Sequence, residues 1–157
     1  MTGFLDNLIG RYRSQAKRNR NRPFLRGTMA ACSLVATADG QVSFGERVRV
    51  DQVLQTLDAL RVFDPHEGVD QFNDFTDAIL KTPSEGRPHA IEAMRAAATN
   101  RETAELLIRI CLAVSEANGV VSLADEIEIV TLCSLLGIEP TNLGLYPDRS
   151  AAYLIGE

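Results

Sequence analysis

The chain has 157 residues, a net charge of −5, 45% hydrophobic residues and only 6% aromatic residues. This length suits one domain with a real core, and the composition favours packed helices over a β-sandwich. No apolar run reaches the ~20 residues of a membrane-spanning helix, and the N-terminus lacks the pattern of a secretory signal. We therefore expect a cytoplasmic, all-α protein.

Residues 1–22 form a predicted basic N-terminal helix or arm. Residues 1–26 carry a net charge of +6, whereas residues 27–157 carry −11. Such an arm can lie on an anionic membrane surface at the inner face of the membrane, bind a partner, or fold back on the acidic body. A short arm without interleaved aromatic residues is not expected to bind nucleic acid. Apolar spacing of one helix face is seen at Phe4, Leu5, Leu8, Ile9 and Tyr12.

Six more helices are predicted along residues 23–140, followed by a C-terminal tail over 141–157. Proline in a first turn, capping residues and a closing glycine set their ends. No run of alternating β-branched residues indicates a strand. The sequence therefore predicts a single compact bundle of about seven helices. The six begin near Pro23, after Ser43, after Asp64, after Thr82, near Glu102 and at Leu123, and the last is closed by Gly137.

Two stretches, 32–46 and 111–125, repeat one pattern at a constant offset of 79 residues. The offset aligns cysteine with cysteine, glycine with glycine and serine with serine. A repeat at a long fixed offset indicates two copies of one supersecondary unit, here helix, tight turn, helix. The matched pairs include Cys32 with Cys111, Gly40 with Gly119, and Ser43 with Ser122.

Each turn carries part of an EF-hand calcium loop. In the first copy, Asp39, Gly40 and Glu46 fit positions 5, 6 and 12, whereas Val35 and Thr37 stand where positions 1 and 3 need acids or amides. In the second copy, Asn118, Gly119 and Asp125 fall at positions 5, 6 and 12, and Val114 and Glu116 stand at positions 1 and 3. Each turn thus offers about half of the ligands that a bound cation needs. We expect the two turns to meet and form one acidic site.

Helix capping explains part of the same pattern without any ligand. Ser43-x-x-Glu46 is a capping box, and glycine in the left-handed conformation commonly ends a helix. Capping leaves Asp39 and Asn118 unexplained, because they lie in the turns and not at the N-caps. Both interpretations, cation binding and capping, stay open at this point.

The remaining candidates for chemistry are cysteines and histidines. Cys32, Cys111 and Cys133 lie on apolar helical stripes without a C-x-x-C pair, which favours core packing over a disulfide framework or a zinc site. His66 and His89 stand near helix starts, where surface histidines are expected. No nucleophile motif or phosphate loop is present. We expect no catalytic residues and no organic cofactor.

At its two turns the chain resembles the TerB family of bacterial tellurite-resistance proteins, and the resemblance covers almost its whole length. It implies a compact helical fold, a non-enzymatic role in tellurite and stress resistance, and an acidic site proposed to bind metal. It also implies association with other Ter proteins, including the membrane protein TerC. The resemblance rests on the order and spacing of residues 24–32, 38–46, 60–64, 113–119 and 136–140.

Carried over by position, the family's acidic site falls on Asp39 and Glu46 in the first turn, and on Asn118, Asp125 and Glu126 in the second. Asn118 stands where the family usually has Asp, and Gly45 and Ala124 stand where a second acid often precedes the glutamate. Each departure removes a negative charge, so we expect weaker cation binding than in a fuller family member. Hard oxygen ligands favour Ca²⁺ or Mg²⁺. The alternative function is a protein- or membrane-surface interaction module without metal, in which the acidic turns only cap helices.

Overall fold

The computed structural model describes residues 21–119 and 121–143, apart from the side chains of Asn118 and Asn142. These residues form six α-helices and no β-strand, so the predicted all-α class is confirmed for this part of the chain. Two short 3₁₀ helices, Glu116–Asn118 and Pro140–Leu143, follow α5 and α6. The helices are α1 (21–36), α2 (Phe44–Thr56), α3 (Pro65–Lys81), α4 (Pro83–Ala97), α5 (Arg101–Ser115) and α6 (Leu123–Leu136).

The six helices correspond to six of the seven predicted ones. The remaining predicted helix, with its apolar face over residues 4–12, lies outside the described residues, so the count of seven stays a prediction. Helix α1 is already helical at Asn21 and Arg22, before the expected start at Pro23. Both residues contact other elements: the Asn21 side-chain amide donates to the Ala59 carbonyl, and Arg22 pairs with Glu67 at 2.7 Å.

Most helix ends are set by the residues that the sequence indicated. Asp64, an expected N-cap, accepts a hydrogen bond from the backbone amide of His66 at 3.0 Å. The sequence did not indicate Asn100 as the cap of α5, yet its side chain accepts from the Thr103 amide at 2.9 Å. Gly137, with a φ of 70°, closes α6 in the left-handed conformation. Thr82 differs, because its side chain makes no capping hydrogen bond and its carbonyl alone receives the first amides of α4.

The core forms around α1 and α5. Both helices bury residues on more than one face, as expected for helices surrounded by others. The cysteines lie in this core and are fully buried, as expected. A hydrogen bond with Cys32, together with burial, raises the pKa of the Cys111 thiol well above its usual range, and burial raises the pKa of Cys133 to about 11. The thiolate, which is the reactive form, is therefore disfavoured at both residues.

The backbones of helices α3 and α4 approach each other closely at Gly86. A Cβ atom at Gly86 would lie 2.6 Å from the backbone carbonyl of Ala78 and the nitrogen of Ile79. The first turn of α4 therefore lies directly on the last turns of α3, and a side chain cannot enter without moving a backbone. No helix in 21–119 or 121–143 combines the length and apolar character needed to cross a membrane.

We predict that Gly86→Ala lowers the free energy of unfolding by about 1–3 kcal/mol, because overpacking forces α3 and α4 apart. Urea unfolding followed by circular dichroism measures the change. Ser84→Ala, on the exposed side of the same turn, is the control and should change stability by a few tenths of a kcal/mol at most. A Gly86→Ala protein as stable as the wild type would contradict this close packing.

Candidate functional site

The first turn joins α1 to α2 and ends in a capping box. Gly40 adopts a φ of 92°, which favours glycine, and its amide donates to the Thr37 carbonyl at 2.9 Å. The Ser43 hydroxyl accepts from the Glu46 amide at 3.1 Å, and the Glu46 carboxylate accepts from the Ser43 amide at 2.9 Å. The predicted capping box is thus confirmed. It also holds the Glu46 carboxylate in place, with only 4% of the residue exposed.

The second turn has nearly the same geometry. Gly119 adopts a φ of 90°, and its amide donates to the Glu116 carbonyl at 2.9 Å. The Ser122 hydroxyl accepts from the Asp125 amide at 3.1 Å, and Asp125 is only 6% exposed. Equivalent positions of the two turns therefore hold a buried carboxylate at the third residue of a helix.

The two turns lie beside each other. Helix α2 packs against α5 and against the 3₁₀ helix Glu116–Asn118 of the second turn. The Glu46 carboxylate experiences repulsion from Asp125 and Asp39, and Asp125 experiences repulsion from Asp39. Three of the five predicted site residues thus belong to one electrostatic cluster, which we call the acidic cluster.

Burial is the main cause of the raised pKa values of Glu46 and Asp125 in the acidic cluster. It raises the pKa of Glu46, hydrogen bonds with Ser43 oppose the rise, and repulsion from Asp125 and Asp39 adds to it. Burial likewise raises the pKa of Asp125, against a hydrogen bond from Ser122, with added repulsion from Asp39. The negative charge of both carboxylates is therefore destabilising in this environment.

The structure says less about the other two predicted site residues, Asn118 and Glu126. Asn118 lies in the 3₁₀ helix that contacts α2, but its side chain is outside the description. Glu126 is half-buried beside Asp125, and its amide donates to the Ser122 carbonyl at 2.9 Å. In the described part of the chain, no three His, Cys, Asp or Glu side chains are grouped so that they could hold a metal ion as they stand.

Large exposed apolar side chains flank both buried carboxylates. Phe44 is 82% exposed and Leu123 is 69% exposed, each at the first position of its helix. Val48 and Ile127, one turn further on, are also exposed. The 79-residue offset pairs Phe44 with Leu123 and Val48 with Ile127. The sequence shows that these positions match, but their exposure depends on the packing of the helices.

The helices and turns define a class of small all-helical protein built around two adjoining acidic turns. The sequence pattern of the family described as tellurite resistance protein TerB matches residues 26–145. The chain belongs to the TerB family. It is 28% identical over 96 residues to a tellurium resistance protein TerB of Alcaligenes sp, an alignment that covers 61% of this chain and 79% of that protein. No solved structure was found to match the chain.

We predict that Glu46→Gln raises the free energy of unfolding at pH 7. The raised pKa of Glu46 means that the folded protein holds this proton more tightly than the unfolded chain does, so ionisation destabilises the fold. Stability should fall as pH rises from the ordinary value of 4.5 through the raised pKa, and stay level above it. The Gln oxygen still accepts from the Ser43 amide.

Urea unfolding between about pH 4 and 8 measures this effect, and the gain from Glu46→Gln should vanish at the acidic end, where both states are protonated. Glu85→Gln is the matched control, because Glu85 is the third residue of α4 but is exposed. Two outcomes would contradict a raised pKa of Glu46 in the folded protein. One is a Glu46→Gln protein that is less stable than the wild type at pH 7, and the other is a gain in the free energy of unfolding that does not depend on pH.

Proposed function

We propose that the acidic cluster is a weak divalent-cation site, and that the protein acts through it as a non-enzymatic component of tellurite resistance. The observation that carries the proposal is the burial of Glu46 and Asp125 at equivalent positions, where each carboxylate carries a raised pKa. A bound cation would offset both the burial and the mutual repulsion. Family membership supports the link to tellurite resistance.

The donor set fits a hard cation by its chemistry. Carboxylate oxygens are the ligands that Ca²⁺ and Mg²⁺ prefer, and both ions complete their shells with backbone carbonyls and water. Asp39 is exposed on the turn, where its carboxylate accepts a hydrogen bond from the Gln41 amide at 3.2 Å. We infer that Asp39 moves towards Glu46 and Asp125 when a cation binds. Glu126 and Asn118 are further candidate ligands.

The proposed partners follow from the family and from the charge of the arm. Other Ter proteins, including the membrane protein TerC, are the partners that the family resemblance implies. Residues 1–20 carry five basic residues and one acid, and attraction to anionic lipid contributes about 1 kcal/mol per basic residue near the surface. We propose a cytoplasmic protein that associates reversibly with the inner face of the membrane.

A second candidate function is an interaction module without metal. The exposed pairs Phe44 with Val48 and Leu123 with Ile127 favour it, because large apolar side chains exposed together on one element mark contact surfaces. The confirmed capping box at Ser43 also gives Glu46 a structural role that needs no cation. The two candidates differ in their response to calcium.

We predict that millimolar Ca²⁺ shifts backbone amide NMR signals in both turns together, around Gly40 and Gly119. Asp39→Asn and Asp125→Asn should each abolish or strongly weaken the response, because each removes a carboxylate from a small donor set. Asp77→Asn is the control, since Asp77 is exposed on α3, and it should respond as the wild type does. Calorimetry on the same proteins gives the affinity.

A flat titration with both Ca²⁺ and Mg²⁺ at about 10 mM, well above the 10⁻⁴–10⁻³ M affinities of weak calcium modules, would reject the cation site. The interaction module would then be the better account. Shifts confined to one turn would reject a shared site, even if a cation binds.

We predict that removing residues 1–20 abolishes co-sedimentation with liposomes of anionic lipid at low salt, while the thermal midpoint changes little. The deletion ends before Asn21 and Arg22 and so preserves their contacts with Ala59 and Glu67. Liposomes of neutral lipid are the control and should not retain either protein. A large fall in the midpoint, with no liposome binding by the intact protein, would show instead that the arm folds back on the body.

A further inference from the structure

A cavity of about 480 Å³ lies between α1, α3 and α4, and its lining includes none of the residues of the acidic cluster. This volume is in the range of small-molecule sites. Ala93 and Ala96 of α4 and Pro23 of α1 supply an apolar wall. The polar groups in the lining come from Arg22, Arg26, Gln71, His89 and Glu92.

Arg26 is held in position by aromatic groups. Its guanidinium lies 4.9 Å from the centre of the Phe75 ring and donates a hydrogen bond to Nε2 of His89 at 3.0 Å. The His89 ring lies 5.7 Å from the Phe75 ring. Within residues 21–119 and 121–143, no carboxylate forms an ion pair with Arg26. A guanidinium oriented in this way is prepared to receive an anionic group.

Gln71 and Glu92, by contrast with Arg26, present hydrogen-bond acceptors to a ligand. The side-chain oxygen of Gln71 is buried, and no donor from the described residues reaches it. Glu92 of α4 contributes a carboxylate, and no Arg or Lys of the described residues lies within ion-pair distance of it. Burying an acceptor without a donor is costly. The buried Gln71 oxygen therefore lacks an N–H partner, whereas the exposed Glu92 carboxylate can receive a positively charged donor at the cavity.

The other charges around the cavity are already balanced or lie to one side. Arg22 is paired with Glu67 at 2.7 Å, so its charge is largely satisfied. Asp74 lines a neighbouring cavity of about 250 Å³ that shares Arg26, Gln71 and His89. The unmatched groups of the main cavity are thus one guanidinium, one carboxylate and one amide oxygen.

We propose that this cavity binds a small zwitterion of the α-amino acid class. The carboxylate of the ligand accepts from the Arg26 guanidinium, and its ammonium group donates to Glu92 and, once the Gln71 amide turns towards the cavity, to the Gln71 oxygen. An apolar side chain of the ligand packs on Ala93 and Ala96. Neither a simple anion nor a simple cation would satisfy all three groups.

The test is an NMR titration of the full-length protein with L-leucine, N-acetyl-L-leucine and L-leucinamide. L-leucine should shift the amide signals of Gln71, Ala93 and Ala96. N-acetyl-L-leucine lacks the ammonium group and L-leucinamide lacks the carboxylate. Each should bind at least about tenfold more weakly than L-leucine, which is the loss expected for one hydrogen-bonded charge. The proposal of a zwitterionic ligand would be overturned if N-acetyl-L-leucine bound as tightly as L-leucine. It would also be overturned if L-leucine caused no shifts.

Substitutions locate the site independently of the ligand series. Arg26→Gln and Glu92→Gln should each weaken L-leucine binding about tenfold or more. Arg95→Gln is the control, because Arg95 is exposed on α4 and does not line the cavity. Glu92 is exposed, so its substitution tests the site even if Arg26→Gln disturbs the fold. Unchanged affinity in Glu92→Gln would overturn the proposed role of Glu92 and with it the proposal.

Discussion

Helix α1 is buried by the rest of the described chain along most of its length, and the core forms around it. From Met29 to Ala36 every residue of α1 is buried. The Ser33 hydroxyl contacts the carbonyls of Met29 and Phe72, so even a polar side chain inside this helix is satisfied. Near its other end, Gly27 admits the backbone of α4, because a Cβ there would overlap the Cβ of Ala97. One buried helix thereby positions two separate sets of polar groups.

The C-terminal end of α1 leads directly into the acidic cluster. Gly40 reverses the chain only three residues after Thr37, which sets Asp39 on the turn and Glu46 in the first turn of α2. An acid near a helix N-terminus interacts favourably with the helix dipole and the free amides. Burial and repulsion from Asp125 act in the opposite direction and raise the pKa of Glu46. Local capping and long-range repulsion therefore act on the same carboxylate, as is common where a functional site departs from the best local stability.

The N-terminal part of α1 contributes to a site of different chemistry. Arg26 extends from α1 towards α3 and α4, where Phe75 and His89 fix its guanidinium. The acidic cluster concentrates like charge, whereas the cavity near Arg26 combines opposite charges that do not pair with each other. One buried helix thus contributes to two proposed sites, because it is long enough to separate them.

The sequence by itself determined the helical class, most helix ends and the position of each turn, because capping residues, prolines and glycines act within a few residues of the chain. Through the 79-residue offset it also paired Glu46 with Asp125 and Asp39 with Asn118. Only the tertiary structure decided that these carboxylates are buried and repel one another, that Val48 is exposed, and that Arg26 meets Gln71 and Glu92 at one cavity. These features depend on contacts between helices far apart in sequence, and hydrophobic spacing within one helix does not specify which neighbour covers each face.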